Sequence, residues 1–103
     1  MGIRLRVTPQ TLHLLDALLV RPSQWQHGYA LSQATGIASG TLYPILMRLD
    51  KQRWLETRWE QPGKIGRPPR HLYRLTSEAR AWAREEIEYA RKHKAWKPAY
   101  SGA

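Results

Sequence analysis

The sequence predicts a mainly α fold with a small β-hairpin: a winged helix-turn-helix continued by a C-terminal helix. Three observations predict it. Between Leu31 and Leu49, two short helical patterns flank Gly36, and glycine is the residue that enters the left-handed conformation of a tight turn at least cost. Leu42, Ile45, Leu46 and Leu49 recur at i, i+3, i+4 and i+7, one apolar helical stripe, while Thr41, Pro44, Arg48, Lys51 and Gln52 fall on the opposite face. Two strand-like runs then bracket a segment rich in proline, glycine and positive charge, the pattern of a hairpin with a long tip.

Met1 to Val7 reads as a short basic arm. Thr8-Pro9 starts the first helix, Thr as N-cap and Pro at the first helical position. Leu12, Leu15, Leu18 and Leu19 form its buried stripe, and Pro22 stops it. A second helix is expected from about His27 to Ala34, with Tyr29 or Ala30, Leu31 and Ala34 turned inward. The third runs from about Ser39 to Gln52. Pro44 inside it would cost about 3 kcal/mol in a helix interior and far less in a first turn, so it places the helix start very near, at Ser39 to Thr41. Trp54–Glu60 and His71–Thr76 are the strands, joined by QPGKIGRPPR. Leu55, Thr57 and Trp59 alternate with charged residues in the first, and Tyr73 and Leu75 flank Arg74 in the second. Thr76 or Ser77 caps the final helix, with Glu78 in its first turn and Arg91, Lys92, His93 and Lys94 at its end, as the helix dipole favours. The expected divisions are 1–76 for the winged helix-turn-helix, 77–97 for the C-terminal helix and 98–103 for a tail.

Seventeen basic and eight acidic residues give the 103-residue chain a formal charge of +9, which implies an acidic partner such as nucleic acid. The distribution says more than the total. No Asp or Glu occurs between Asp16 and Asp50, or between Glu60 and Glu78, and those gaps hold the helix-turn-helix and the hairpin loop. There is no cysteine, hence neither a disulfide framework nor a thiolate metal site. No signal peptide or membrane-spanning run is visible, so a soluble, cytoplasmic protein is expected. His13, His27, His71 and His93 do not pair at metal-ligand spacings. No Ser-His-Asp set, phosphate loop or pocketed carboxylate pair suggests an enzyme, and no cofactor is implied.

The DNA-contacting candidates follow from this layout. Ser39, Gly40, Thr41 and Pro44 lie at the start of the third helix, with Arg48 one turn further to approach a base edge or a phosphate. Tyr43 could donate its hydroxyl to a phosphate or pack on the first helix, and Tyr29 on the second helix joins the same group. Lys64, Arg67 and Arg70 carry the charge of the hairpin tip, where Gly-Arg-Pro suits insertion of an arginine into a narrow minor groove. In the last helix, Trp82, Tyr89 and Trp96 are spaced seven apart beside the aliphatic edge Ala79, Ala83, Ile87 and Ala90. That arc is wider than one docking surface needs. One edge is expected to pack on its own domain, and the other, Trp82, Glu86, Tyr89, His93 and Trp96, to meet a second subunit. Trp82, Tyr89 and Trp96 could also sandwich a small flat aromatic effector; packing alone is the alternative.

With these residues in place, the chain resembles the PadR family of bacterial transcriptional regulators. The likeness rests on HGYALSQATG, on SGTLYPILMRLDKQRWLETRWE and on GRPPRHLYRLTSEAR, and runs from about Leu12 to Trp96. It implies a winged-helix homodimer held by the C-terminal helix that represses transcription at a palindromic operator, and the short length is similar to the subfamily with a single C-terminal helix. Three residues depart from the family pattern: Arg53 where glycine is usual before the first wing strand, Ala79 where glycine often follows Leu-Thr, and Leu72 in place of an aromatic before Tyr73. The expected function is sequence-specific binding of double-stranded DNA. The rivals are a winged helix used as a protein-interaction module, and non-specific nucleic-acid binding by charge.

Overall fold

Thr8 and Pro9 open the first helix as their chemistry dictates. The computed structural model describes residues 7–61, 63, 66 and 68–93. In it α1 spans Pro9–Val20, and Thr8 Oγ1 accepts the Thr11 N–H at 3.2 Å, supplying one of the partners a helix start lacks. Leu12, Leu15 and Leu18 are buried, but Leu14 joins them while Leu19 is only half-buried. The buried arc is broader than the single stripe expected because α1 is wedged between α2, α4 and the sheet.

A short strand precedes the second helix, β1 at Gln26–His27, and pairs antiparallel with β3. Two residues are too few to show alternation, so nothing in the sequence announced it. Next, α2 spans Gly28–Thr35, capped by His27 Nδ1, which accepts the Ala30 N–H at 3.3 Å. The expected inward positions need correction. Leu31 is buried, but Tyr29 and Ala34 are exposed, and Thr35 occupies the interior instead. Its hydroxyl donates to the Leu31 carbonyl at 2.8 Å and accepts the Ile37 N–H at 3.1 Å, so a polar side chain is buried with its hydrogen bonds made. Gly36 adopts φ +74° and its N–H reaches the Ser32 carbonyl at 2.8 Å, the left-handed cap that the sequence predicts. Ser32 Oγ donates to the Ile37 carbonyl at 2.6 Å, closing the turn into the third helix.

In α3, at Ser39–Lys51, Leu42, Ile45, Leu46 and Leu49 are buried, as their spacing requires. Pro44 stands in the second turn rather than the first, five residues after Ser39. Its missing N–H therefore leaves the Gly40 carbonyl without its helical donor. The helix ends in a Schellman arrangement: the Arg53 N–H reaches the Asp50 carbonyl at 2.9 Å and the Trp54 N–H the Leu49 carbonyl at 3.0 Å. Arg53 holds φ +62° there. The turn keeps the geometry glycine would allow freely, at a cost of about 1–2 kcal/mol for a residue with a side chain.

The wing is β2 (Leu55–Glu60) and β3 (Arg70–Leu75), antiparallel from Leu55↔Leu75 to Glu60↔Arg70, in a three-stranded sheet of order β1-β3-β2. Only Leu55 of β2 is buried, whereas Leu72, Tyr73 and Leu75 of β3 all are. The central strand is thus covered on both faces at its C-terminal end, and simple alternation fails there. Arg74 ties the sheet to the α1–β1 loop. Its guanidinium pairs with Glu56, donates to the Ser23 carbonyl at 3.0 Å, and lies 4.3 Å over the Trp25 ring.

Thr76 Oγ1 accepts the Ala79 N–H at 3.1 Å and starts α4, Ser77–Lys92. Ala79, Ala83, Ile87 and Ala90 pack into the core against α1, so the aliphatic edge of this helix belongs to its own domain. Lys94, Trp96 and Lys97-Pro98, expected to finish the helix, lie outside the described residues. Seven leucines are the largest fully buried side chains, Leu14, Leu15, Leu18, Leu31, Leu42, Leu46 and Leu75. They place the core behind α3 and leave its other face open. Among the described residues, no helix is long and apolar enough to cross a membrane.

Candidate nucleic-acid interface

The open face begins at the start of α3. The N-caps of α1, α2 and α4 each accept a backbone N–H through a side chain, but the N-cap of α3 is Ala38, which has no acceptor. The Thr41 and Leu42 N–H groups both turn back to the Ala38 carbonyl at 2.9 Å. Those of Ser39 and Gly40 come earlier in the turn, where a helix offers no partner. Ser39, Gly40 and Thr41 are exposed, and the first turn holds no acid. The positive end of the helix dipole is therefore presented to solvent without a neutralising group, a disposition that suits a phosphate.

One flank of α3 meets the base of the wing. A groove of about 400 Å³ runs between them, lined by His27, Gly28, Tyr29, Tyr43, Trp59, Pro69, Arg70 and His71. It brings Tyr29 and Tyr43 to the same hollow as Arg70, two phenols and one guanidinium from three separate elements. Tyr29 is 68% exposed and Tyr43 41%, so neither is a core residue. The wing base is stiffened by stacked rings: His71 stacks on Trp59 at 4.4 Å between ring centroids, and its Nδ1 is 3.1 Å from the Tyr73 hydroxyl. Burial holds the Tyr73 phenol above its usual pKa, with smaller contributions from Tyr43 and Asp50, so Tyr73 stays neutral under the surface.

Tyr43 keeps its place because Gly28 has no side chain. A Cβ at Gly28 would fall within 2.6 Å of Tyr43 Cζ and 2.8 Å of Cε1. The obstructed group is the far end of a side chain, which can swing away. The Gly28→Ala variant is expected to keep its melting temperature within a few degrees and, if the Tyr43 hydroxyl donates to a phosphate as the sequence suggests, to bind DNA several-fold more weakly for the loss of a hydrogen bond of about 1 kcal/mol. Thermal denaturation with a titration of labelled duplex checks both, and full affinity would remove the Tyr43 hydroxyl from the interface.

Arg48 lies on the other flank. It is exposed and, with Lys51, Gln52, Ile45 and Leu49, borders a hollow of about 320 Å³ closed by Val7, Thr8 and Thr11 of the α1 start and by Trp82 of α4. Pro44 and Met47 occupy the middle of the face, both exposed. Lys64 and Arg67 of the wing tip lie outside the described residues.

The C-terminal helix carries a second surface. Trp82, Glu86, Tyr89 and His93 follow one another along one edge of α4 and its cap. Tyr89 and His93 stack at 3.9 Å between ring centroids, and His93 Nδ1 lies 2.8 Å from the Tyr89 carbonyl oxygen. Trp82 is half-buried with its ring 3.6 Å from that of Trp54, so it is shared between this edge and the residue leading into β2. Trp96 lies outside the described residues. Among the described residues, no group of three or more His, Cys, Asp or Glu could hold a metal ion.

Sequence reasoning did not single out Gly28, which lines the groove, or Met47, which is exposed on α3. Nothing local marks Gly28, whose role depends on a ring fifteen residues away. Met47 left a signal, an apolar side chain off the buried stripe.

The family model for PadR-like transcriptional regulators matches residues 17–85. Among solved structures, a PadR family transcriptional regulator from Eggerthella lenta is 28% identical, over 84% of this chain and 80% of that one, with a TM-score of 0.64. A Streptococcus mutans protein is 26% identical over 89% and 87%, with a TM-score of 0.66. A PadR-like transcription factor from Bacteroides fragilis shares the fold at 22% identity over 84% and 87%, with a TM-score of 0.64. Comparison with curated proteins gives no match.

Proposed function

Because the chain belongs to the PadR-like family of transcriptional regulators, we propose that it is a homodimeric repressor that binds a palindromic operator in double-stranded DNA. The observation that carries this reading is the face of α3: exposed, free of acids from Ser39 to Leu49, uncapped at its start, and continuous with a groove holding Tyr29, Tyr43 and Arg70. A helix presented in this way fits the major groove with its N-terminus toward the backbone. Arg48 and Lys51 supply cations on one side. Tyr29, Tyr43 and Arg70 reach phosphates on the other, and Lys64 and Arg67 extend the contact into the flanking minor groove.

The dimer would form along α4, whose aliphatic edge is used up by its own core while Glu86, Tyr89 and His93 line the other edge with Trp82. A flat aromatic effector held between subunits on Trp82, Tyr89 and Trp96 is the proposed means of release. Trp82 rests on Trp54, so a ligand reaching it would press on the residue that enters the wing.

Selection of bound sites from random duplex DNA at two salt concentrations tests the reading. The expected result is an inverted repeat whose half-sites lie one or two helical turns apart, with affinity falling as salt rises. Equal recovery of unrelated sequences would leave only binding by charge, and no recovery would favour a protein-interaction module.

A further inference from the structure

The least expected side chain on the α3 face is Met47, 70% exposed in the middle of it. A large apolar side chain left in water forfeits the stabilisation that burial brings, and this one is ringed by polar neighbours. Pro44 lies one turn before it, and Arg48, Asp50 and Lys51 complete the rim of a shallow hollow of about 430 Å³. The hollow is apolar at its centre and charged at its edge.

We propose that Met47 is a specificity-determining residue that reads the C5-methyl group of a thymine in each operator half-site, with the exposed Pro44 ring forming the neighbouring apolar wall. This rests on the reading of α3 as the major-groove element. The chemistry is selective, because the thymine methyl is the one apolar group that base pairs present in that groove. Asp50 borders the same hollow between Arg48 and Lys51, so the rim is mixed in charge and what the hollow offers at its centre is apolar surface rather than a cationic cluster. Arg48 and Lys51 lie to the side, where phosphates or guanine would be met. The unbranched thioether chain of Met47 has the reach and flexibility to settle over a methyl group once the helix is seated.

Deoxyuridine differs from thymidine only by that methyl group, which makes the test direct. Sites selected by the wild-type protein are resynthesised with each enriched thymine replaced singly by uracil, and wild type, Met47→Ala and Met47→Leu are titrated against the series. The expected result is one symmetry-related position at which uracil weakens wild-type binding about fourfold, the worth of one buried methyl group. Met47→Ala should bind thymine and uracil there equally, and Met47→Leu should keep most of the preference. Met47 is 70% exposed and lies outside the buried core, and circular dichroism of the variants confirms the fold. A uracil series that is flat for the wild type, or a thymine preference that survives Met47→Ala, overturns the assignment while leaving major-groove docking intact. Failure to enrich any site overturns both, so the two failures are told apart at the selection step.

Discussion

Neutralising the wing by changing Lys64, Arg67 and Arg70 to alanine is expected to flatten the salt dependence of DNA binding by a log–log slope of about 0.9 for each phosphate contact removed. With all three engaged, the slope falls by about 2.7. Over a fourfold rise in salt, that difference amounts to roughly fortyfold in affinity, the largest functional effect anticipated for this chain. Its physical basis is counterion release, which counts cations near the backbone and is blind to sequence. The variant should therefore lose affinity for operator and for unrelated duplex alike, while the ranking of bases under α3 stays the same. Arg70 already stands in the groove with Tyr29 and Tyr43. Lys64 and Arg67 are placed by the chain alone, within ten residues of Gln61 that carry four prolines or glycines before Pro69. Isotherms at four or more salt concentrations read the slope. An unaltered slope takes the wing out of the interface, and a partial change counts how many of the three cations touch DNA.

The fold was legible wherever a local rule suffices. The stripe Leu42, Ile45, Leu46 and Leu49 was buried because a 3.6-residue period leaves no other way to hide those side chains together. The Thr8 and Thr76 caps and the Gly36 turn followed from the groups that helix ends lack. What could not be read depends on partners far along the chain. β1 exists only because β3, more than forty residues later, offers Tyr73 and Leu72 to Gln26 and His27. Tyr29 and Ala34 fall on the solvent side because α2 is oriented by α1 and α3, and the roughly two turns of an eight-residue helix carry too little pattern to say which face is inner. Trp82 reads as a seam residue from its heptad spacing, and that spacing could not show that its ring also lies on Trp54, twenty-eight residues earlier. Arg53 shows the converse case. A residue disfavoured at φ +62° is held there because the Schellman hydrogen bonds of Asp50 and Leu49 and the burial of Leu55 fix the turn on either side.

Pro44→Ala is expected to make the protein more stable and a poorer DNA binder. Pro44 lies in the second turn of α3, where a prolyl residue is about 3 kcal/mol less favourable than alanine in a full helix interior. Proline also restricts the unfolded chain, which returns about 0.4–1 kcal/mol. Position near the helix start reduces the penalty further, leaving a net gain of about 1–2 kcal/mol and a rise in Tm of roughly 5–15 °C for a domain of this size. Alanine would restore the hydrogen bond to the Gly40 carbonyl and remove the crowding of the proline ring against it, freeing the first two turns to relax. Those same turns belong to the proposed interface. Their relaxation would shift the uncapped N–H groups of Ser39 and Gly40 relative to Arg48, and the substitution removes the apolar ring beside Met47. A strained residue retained at a binding surface is the usual mark of a compromise between stability and function, and the two halves of the prediction separate cleanly. Calorimetry reads the first: a Tm that does not rise means that α3 carries no strain at Pro44. Operator titration reads the second: a more stable protein with undiminished affinity means that the proline shapes nothing the DNA meets.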